Sequence, residues 1–250
     1  VFSPSFPPEK KKIAKFADLM ITFGIKTLLS KNAFAHLEFE KMPCPEQKRA
    51  NDFNNIVKNK KIELAIASRG GFGSAQLLQH IDWEMLANRN LPVLGYSDIT
   101  ALHLGMCAKN AGIPVSSPCS ANFADSLRFK LFIETFMKAL MPEKTPPIKI
   151  RNLEFLRKGT AKGKILPVNL TMLCAMLGTD YLRSFDEKIL LIEDIGEAPY
   201  KISRMLTQLE LAGIIGKISC LLIGNFRQSG DSKALNFIFA NFAKKCNIPI

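Results

Sequence analysis

Apolar positions along the chain alternate between helical and strand spacing. Phe2-Ser3 reads as the end of a strand, with Pro4 to Pro8 as the turn after it. From Glu9 to Phe23 the residues Ile13, Phe16, Ala17, Met20 and Phe23 share one helical face, and Gly24 stops the run. Ile25 to Leu29 predicts a strand, and Pro45 to Asn59 a helix with Ala50, Phe53, Ile56 and Val57 inward. Ile62 to Ala67 is an apolar run that breaks at Ser68 and crosses three glycines, Gly70, Gly71 and Gly73, before Ser74 to His80 opens another helix. Leu91 to Tyr96 predicts a strand, Ser97-Asp98 cap a helix ending near Asn110, and Ile113 to Val115 is a strand again. Strands alternating with helices at this spacing imply a parallel sheet covered on both faces.

Ala124 to Leu140 predicts a further helix, and then the chain changes character. Met141-Pro142-Glu143-Lys144-Thr145-Pro146-Pro147 is polar and proline-rich, the best linker in the sequence. Ile148 to Ile150 and Lys164 to Val168 read as short strands, and Asn169 to Leu177 as a short helix. Ile189 to Ile192 is a buried strand that ends in Glu193-Asp194. Pro199 starts a helix with Ile202, Met205, Leu206 and Leu209 on one face. Ile218 to Ile223 is a strand, Asp231 to Lys245 a helix, and Ile248-Pro249-Ile250 begins one more strand. The expected organisation is a parallel-sheet α/β domain over residues 1–141, a linker over 142–158 and a smaller domain over 159–250.

Composition narrows the class. With 47% hydrophobic and 22% charged residues the chain is globular, and no apolar run approaches the ~18 residues of a membrane span. Val1 to Pro8 do not read as a signal peptide, and without an initiator Met the start reads as trimmed. Six cysteines, none in a Cys-x-x-Cys pair, read as reduced structural thiols of a cytoplasmic protein, not a zinc site. The net charge of +12 raises nucleic-acid binding. The basic residues are scattered, however, with a run of three only at Lys10-Lys11-Lys12, and a lysine-rich solvated surface is the better account.

Chemistry concentrates at two places. The loop Ser68-Arg69-Gly70-Gly71-Phe72-Gly73-Ser74 sits between a strand and a helix start, where N–H groups and the helix dipole favour negative charge. Its serine can be a helix cap, part of a phosphate cradle, or a nucleophile beside an oxyanion site. The phosphate pattern is poor, since Gln76 stands where a dinucleotide fingerprint has Gly or Ala. The nucleophile pattern departs from Gly-x-Ser-x-Gly at Phe72 and Gln76. The stretch alone does not choose among the three. The second place is Glu193-Asp194-Ile195-Gly196-Glu197, carboxylates at a strand's carboxyl end where open α/β sheets bind ligands. Of three histidines, His36 reads as solvent-facing, His80 cannot easily reach Ser74, and His103 reads as a core or supporting residue. No Ser–His pair is evident.

Six segments in order resemble the LD-carboxypeptidase family of serine peptidases, the muramoyltetrapeptide carboxypeptidases. They are Ser3-Pro4-Ser5, Ala67 to Ser74, Gly95-Tyr96-Ser97-Asp98-Ile99-Thr100-Ala101-Leu102, Asn169-Leu170-Thr171-Met172-Leu173, Ile192 to Glu197, and Arg204-Met205-Leu206-Thr207-Gln208-Leu209. The resemblance implies an N-terminal α/β domain bearing the nucleophile and a smaller C-terminal α+β domain bearing the other triad members. It implies release of the terminal D-alanine from murein tetrapeptides in cytoplasmic cell-wall recycling, by a homodimer that needs no metal or organic cofactor. Carried onto this chain, it makes Ser74 the nucleophile and Glu193 the triad carboxylate, with Glu197 as fallback. The oxyanion hole falls to N–H groups near Gly71 and Ala75. Substrate contacts fall to Arg69, Ser97, Asp98 and Glu197. Relatives in the same family cleave peptide–nucleotide antibiotics as immunity proteins. A non-catalytic peptide binder and a sugar- or nucleotide-phosphate binder are the remaining readings. Pro167-Val168 stand where the family usually has Gly-Gly. The family's catalytic histidine follows the strand opened at Ile248, beyond Ile250, within an expected dozen or so residues. The 250-residue chain is therefore expected to have little or no peptidase activity.

Overall fold

Three parallel strands, β1 (Ala65–Ile66), β2 (Pro92–Gly95) and β3 (Ile113–Ser116), lie side by side in sequence order in the first part of the chain. The structure is a computed structural model and describes residues 1–39, 42–123, 133 and 153–250. It divides into two units, Val1–Pro146 with Asp180–Leu182, and Pro147–Thr179 with Arg183–Ile250. In the first unit β2 is central and buried along its whole length, which is why Leu91 to Leu94 reads as an unbroken apolar run. Helix α1 (Lys10–Thr22) buries Ile13, Phe16 and Met20, and α2 (Glu46–Lys58) buries Ala50, Phe53, Ile56 and Val57. Phe16 and Met20 join Ile66, Leu94 and Phe123 in one cluster on the sheet. A short helix α3 (Trp83–Ala87) precedes β2, and α4 (Thr100–Lys109) follows it, apolar nearly all round and buried accordingly. Asn110 ends α4 in the left-handed region with φ 49°.

Two expected strands are shorter than their apolar runs. β1 keeps two residues, and its outer edge is met by Phe2, whose N–H donates to the Ile66 carbonyl (3.1 Å) and whose carbonyl accepts from Ser68 N–H (2.7 Å). Ile25 to Leu29 forms no strand. It lies extended beside Val1, whose ammonium donates to Leu28 O at 2.6 Å. Of the predicted helix over Ala124 to Leu140 only Ile133, which is helical, is described; most of the linker and the strand at Ile148 to Ile150 lie outside the described residues.

The second unit repeats the logic. β4 (Lys164–Asn169), β5 (Lys188–Ile195) and β6 (Cys220–Arg227) are parallel and in sequence order. Helices α5 (Leu170–Ala175) and α6 (Pro199–Leu211) make the crossovers, and α7 (Ser232–Lys245) follows β6. The side chains of Asn169 and Asp231 cap α5 and α7. The register between β5 and β6 slips between Ile192 and Asp194, placing a bulge opposite Glu193. Ile248 to Ile250 forms no strand, with a bend at Ile248. Pro249 O accepts from Leu221 N–H (3.1 Å), and Ile250 N–H donates to Arg157 O (3.1 Å). Among the described residues no helix is long and apolar enough to cross a membrane.

Candidate active site

The turn from β2 into α4 is the most constrained piece of backbone in the first unit. β2 ends at Gly95, Tyr96 is extended, and Ser97 carries φ 62°, a conformation that costs a non-glycine residue about 1–2 kcal/mol. The chain then enters a 3-10 turn at Ser97–Ile99 and the helix proper at Thr100. A serine on a strained strand-to-helix turn is the geometry that lifts a hydroxyl clear of the sheet. Gly95 makes the turn possible, because a Cβ there would lie 2.8 Å from Cγ1 and Cγ2 of Ile99. Ser97 is half-buried, and its hydroxyl has no hydrogen-bond partner among the described residues. The sequence reading made Ser97 and Asp98 a cap pair, but no side-chain cap bond forms at this helix start.

The glycine loop packs on that serine. A Cβ on Gly70 would stand 3.1 Å from both Cβ and Oγ of Ser97, so only glycine lets the loop backbone come so close. Gly71 (φ 124°) and Gly73 (φ 119°) follow in conformations reserved for glycine, and a Cβ on Gly71 would strike the Phe6 ring. Phe6 and Phe72 face each other at 6.3 Å, and the exposed Arg69 guanidinium sits 5.8 Å from the Phe6 ring centre.

Ser74 does not fit the nucleophile role given to it from sequence. It is fully buried, and its hydroxyl donates to the backbone carbonyl of Asp98. Its N–H donates to the Asp98 carboxylate at 2.9 Å, and Ser5 Oγ donates to the same carboxylate oxygen. Ser74 is thus a strut beneath the turn that carries Ser97, and Asp98, buried as well, is its anchor rather than a substrate contact. Ala75, next after Ser74, is exposed on its 3-10 turn (Ser74–His80). The helix predicted from Ser74 is this tighter turn.

None of the three histidines stands ready as a base. His103 is buried on α4 with Nε2 hydrogen-bonded to Val93 O at 2.9 Å, and burial pulls its pKa down to about 4. His36 is exposed and bonds Leu37 O through Nδ1. His80 closes its 3-10 turn, where its carbonyl accepts from Asn54. The thiol of Cys119 is fully buried, its pKa pushed up to about 12.

In the second unit the two adjacent carboxylates of β5 divide their work. Both lie near the carboxyl end of the strand, as the sequence reads, with the strand continuing one residue further to Ile195. Asp194 is buried and accepts four bonds, from Asn169 Nδ2 (3.0 Å), Thr171 N–H (2.9 Å), Thr171 Oγ1 (2.8 Å) and Ile195 N–H (2.9 Å). It ties the start of α5 to β5. Glu193 points the other way from the pleat and is half-buried. Burial raises its pKa, the Asn169 amide opposes that, and the Asp194 charge adds to it. Glu197 is paired with Lys201 at 3.3 Å one helical turn on. Among the described residues no group of three or more His, Cys, Asp or Glu could hold a metal ion. A cavity of about 690 Å³ lies elsewhere in the first unit, lined by Met20, Leu28, Asp52, Ile62 and Ile66 among others, and includes none of these site residues.

Comparison with known proteins gives the same outline. Residues 1–117 match the family description "LD-carboxypeptidase N-terminal domain", and residues 162–250 match "LD-carboxypeptidase C-terminal domain". The chain is 26% identical over 231 residues to a Bacillus subtilis protein named "Probable murein peptide carboxypeptidase", covering 90% of this chain and 71% of that one. It is 26% identical over 207 residues to the microcin C7 self-immunity protein of Escherichia coli, covering 72% and 60%. The fold is similar to the crystal structure of muramoyltetrapeptide carboxypeptidase from Oxalobacter formigenes, with TM-score 0.82, 22% identity and coverage of 99% and 85%.

Proposed function

The chain belongs to the LD-carboxypeptidase family through both of its domains, a family of serine carboxypeptidases, and from that premise we propose that it removes the terminal D-alanine from murein tetrapeptides with Ser97 as nucleophile. The observation that carries the assignment is the backbone at Ser97: a positive-φ serine between a buried strand and a helix, backed by a glycine loop so close that a Cβ on Gly70 would stand 3.1 Å from its hydroxyl. Ser97 Oγ attacks the carbonyl of the peptide bond before the terminal residue, and a tetrahedral oxyanion forms. The backbone donors assigned to it are the N–H of Asp98, next after the nucleophile, and that of Gly71 in the packed loop. Collapse expels D-alanine and leaves an acyl-serine, which water then hydrolyses. Arg69 supplies a positive charge for the substrate's free carboxylate.

A serine hydroxyl needs a base within hydrogen-bond reach. Glu193 is assigned to orient and stabilise the imidazolium of such a base, as the carboxylate of a triad does. His103, His36 and His80 are each committed elsewhere, so the 250-residue chain on its own is expected to turn over slowly. The setting is cytoplasmic cell-wall recycling, and the working form a homodimer.

The test separates the two serines. Ser97→Ala should abolish D-alanine release from a murein tetrapeptide, while Ser74→Ala should leave a measurable fraction of it in a less stable protein. Loss in Ser74→Ala with wild-type turnover in Ser97→Ala would reverse the assignment. A second reading follows from the likeness to the microcin self-immunity protein: hydrolysis of a peptide–nucleotide antibiotic at the same serine. Cleavage of an aminoacyl nucleotide with the tetrapeptide untouched would favour it.

A further inference from the structure

Arg49 is 3% exposed, and among the described residues its guanidinium forms no salt bridge with a carboxylate; the charges of Glu46 and Asp98 act on it only at longer range. Its guanidinium instead reaches three backbone carbonyls from three separate segments. Nε donates to Cys44 O at 2.7 Å, and Nη1 donates to Pro4 O and to Gly73 O, the latter at 2.9 Å. Nη2 donates to Gln76 Oε1 at 2.7 Å. Burying a cation among neutral acceptors is costly, and an apolar side chain of similar size would serve stability at least as well. Burial accordingly lowers its pKa. Such an arrangement calls for something an apolar residue cannot do.

We infer that Arg49 is a positioning residue for the reaction, holding the glycine loop and the Ser97 turn in register; this rests on the reading of Ser97 as nucleophile. Two short routes lead from its guanidinium to Asp98. Pro4 is followed by Ser5, whose hydroxyl donates to the Asp98 carboxylate. Gly73 is followed by Ser74, whose N–H and hydroxyl both go to Asp98. A peptide unit is planar, with its C=O and N–H opposed. The Gly73–Ser74 peptide therefore spans the two charges, carbonyl toward the cation and N–H toward the anion. That fixes its plane, and with it the path of the preceding Gly70 and Gly71, of which Gly70 packs against Ser97 and Gly71 against the Phe6 ring. Gly73 is itself required, because a Cβ there would lie 2.8 Å from Nη1. The fork of five N–H groups suits this task, and a lysine's single ammonium does not.

The experiment reads loop geometry rather than folding. A peptide boronic acid is titrated into the 250-residue chain as wild type, Arg49→Lys and Arg49→Ala. Ser97 Oγ adds to boron, its proton passes to solvent, and the tetrahedral boronate presents an oxygen to the loop donors. The same peptide ending in a carboxamide measures plain binding. Arg49→Ala should weaken boronate affinity by about 100-fold, the loss typical of a displaced oxyanion donor, with carboxamide binding unchanged. Added guanidinium ion should restore boronate affinity in Arg49→Ala and do nothing for wild type. Equal boronate affinity in a folded variant, or parallel loss of boronate and carboxamide binding, would overturn the inference. If Arg49→Ala does not fold, amide exchange in Arg49→Lys decides. Faster exchange at Gly71, Gly73 and Ser74 with Val93 and Leu94 unchanged supports the role, and uniform acceleration overturns it. If wild type binds boronate no better than carboxamide, the nucleophile reading fails, and the exchange pattern still decides whether Arg49 holds the loop.

Discussion

At the scale of single residues, the site is a set of neighbours with opposite tasks. Asp194 is given four donors and made structural; Glu193, one residue before it, is left half-buried beside a bulge with its pKa raised. A carboxyl whose folded pKa lies above the ordinary value near 4.5 binds its proton more tightly folded than unfolded. Its contribution therefore favours the fold in acid and turns unfavourable as pH rises through the folded pKa. Glu193→Gln is expected to raise the thermal stability of the second unit at pH 7, and the gain should vanish below the ordinary carboxylate range. If Glu193 is the triad carboxylate, as proposed, the same change should lower kcat by about 10⁴-fold. Melting curves at pH 7 and pH 4 check the first part; an unchanged or lowered melting temperature at pH 7 would show that the Glu193 charge is not costly. The proposed carboxylate Glu193 stands out in sequence because an acidic residue closing an apolar strand run is conspicuous. The proposed nucleophile Ser97 does not, since its signal is a glycine two places before a serine at a strand end, and three glycines before Ser74 are louder.

At the scale of elements, the strand-to-helix turn at Ser97 is specified by packing that no local pattern announces. The familiar elbow has a glycine on each side of the serine, at two positions' distance, to relieve crowding between strand and helix. Here the second position is Ile99, and the whole burden falls on Gly95, which Ile99 approaches to 2.8 Å of a would-be Cβ. Gly95→Ala should cost about 1–3 kcal/mol, the range for overpacking a well-filled site. It should also depress Ser97 reactivity by tilting the turn. Ile99→Ala in the same chain should restore much of the stability, because the clash is with its γ carbons. A double-mutant cycle in denaturant measures this, and additive losses would mean that the two residues do not set the turn together. Element identity was otherwise readable. The helical faces of α1, α2 and α6 and the buried strand β2 follow the apolar spacing closely. Strand lengths were not readable, since β1 stops where Phe2 takes over its edge, a contact from 65 residues away in sequence.

At the scale of the whole molecule, two parallel three-stranded sheets are built on one plan, strand then crossover helix, and the alternation in the sequence implied such a sheet for the first of them. What alternation could not reveal is where a titratable group has been taken into the core. His103 lies under β2 within the apolar face of α4, donating to a strand carbonyl, and burial lowers its pKa from 6.5 to about 4. The unfolded chain takes up a proton at this residue near pH 6.5, whereas the folded chain resists until near pH 4. The neutral ring thus contributes stability that is complete above pH 6.5 and is lost as pH falls through that window. A shift of this size corresponds to about 3 kcal/mol for a fully buried group. His103→Gln keeps a side-chain donor for Val93 O but cannot titrate. It is expected to flatten the acid side of the first unit's stability profile between pH 6.5 and pH 4, leaving the second unit's profile unchanged. Amide exchange at Val93 and Leu94, against Leu190 and Ile192 as the reference in the second unit, follows both in one sample. If the acid slope at Val93 persists in His103→Gln, the buried imidazole is not its source. A loss of peptide binding in that variant would instead mean that this histidine serves the site directly.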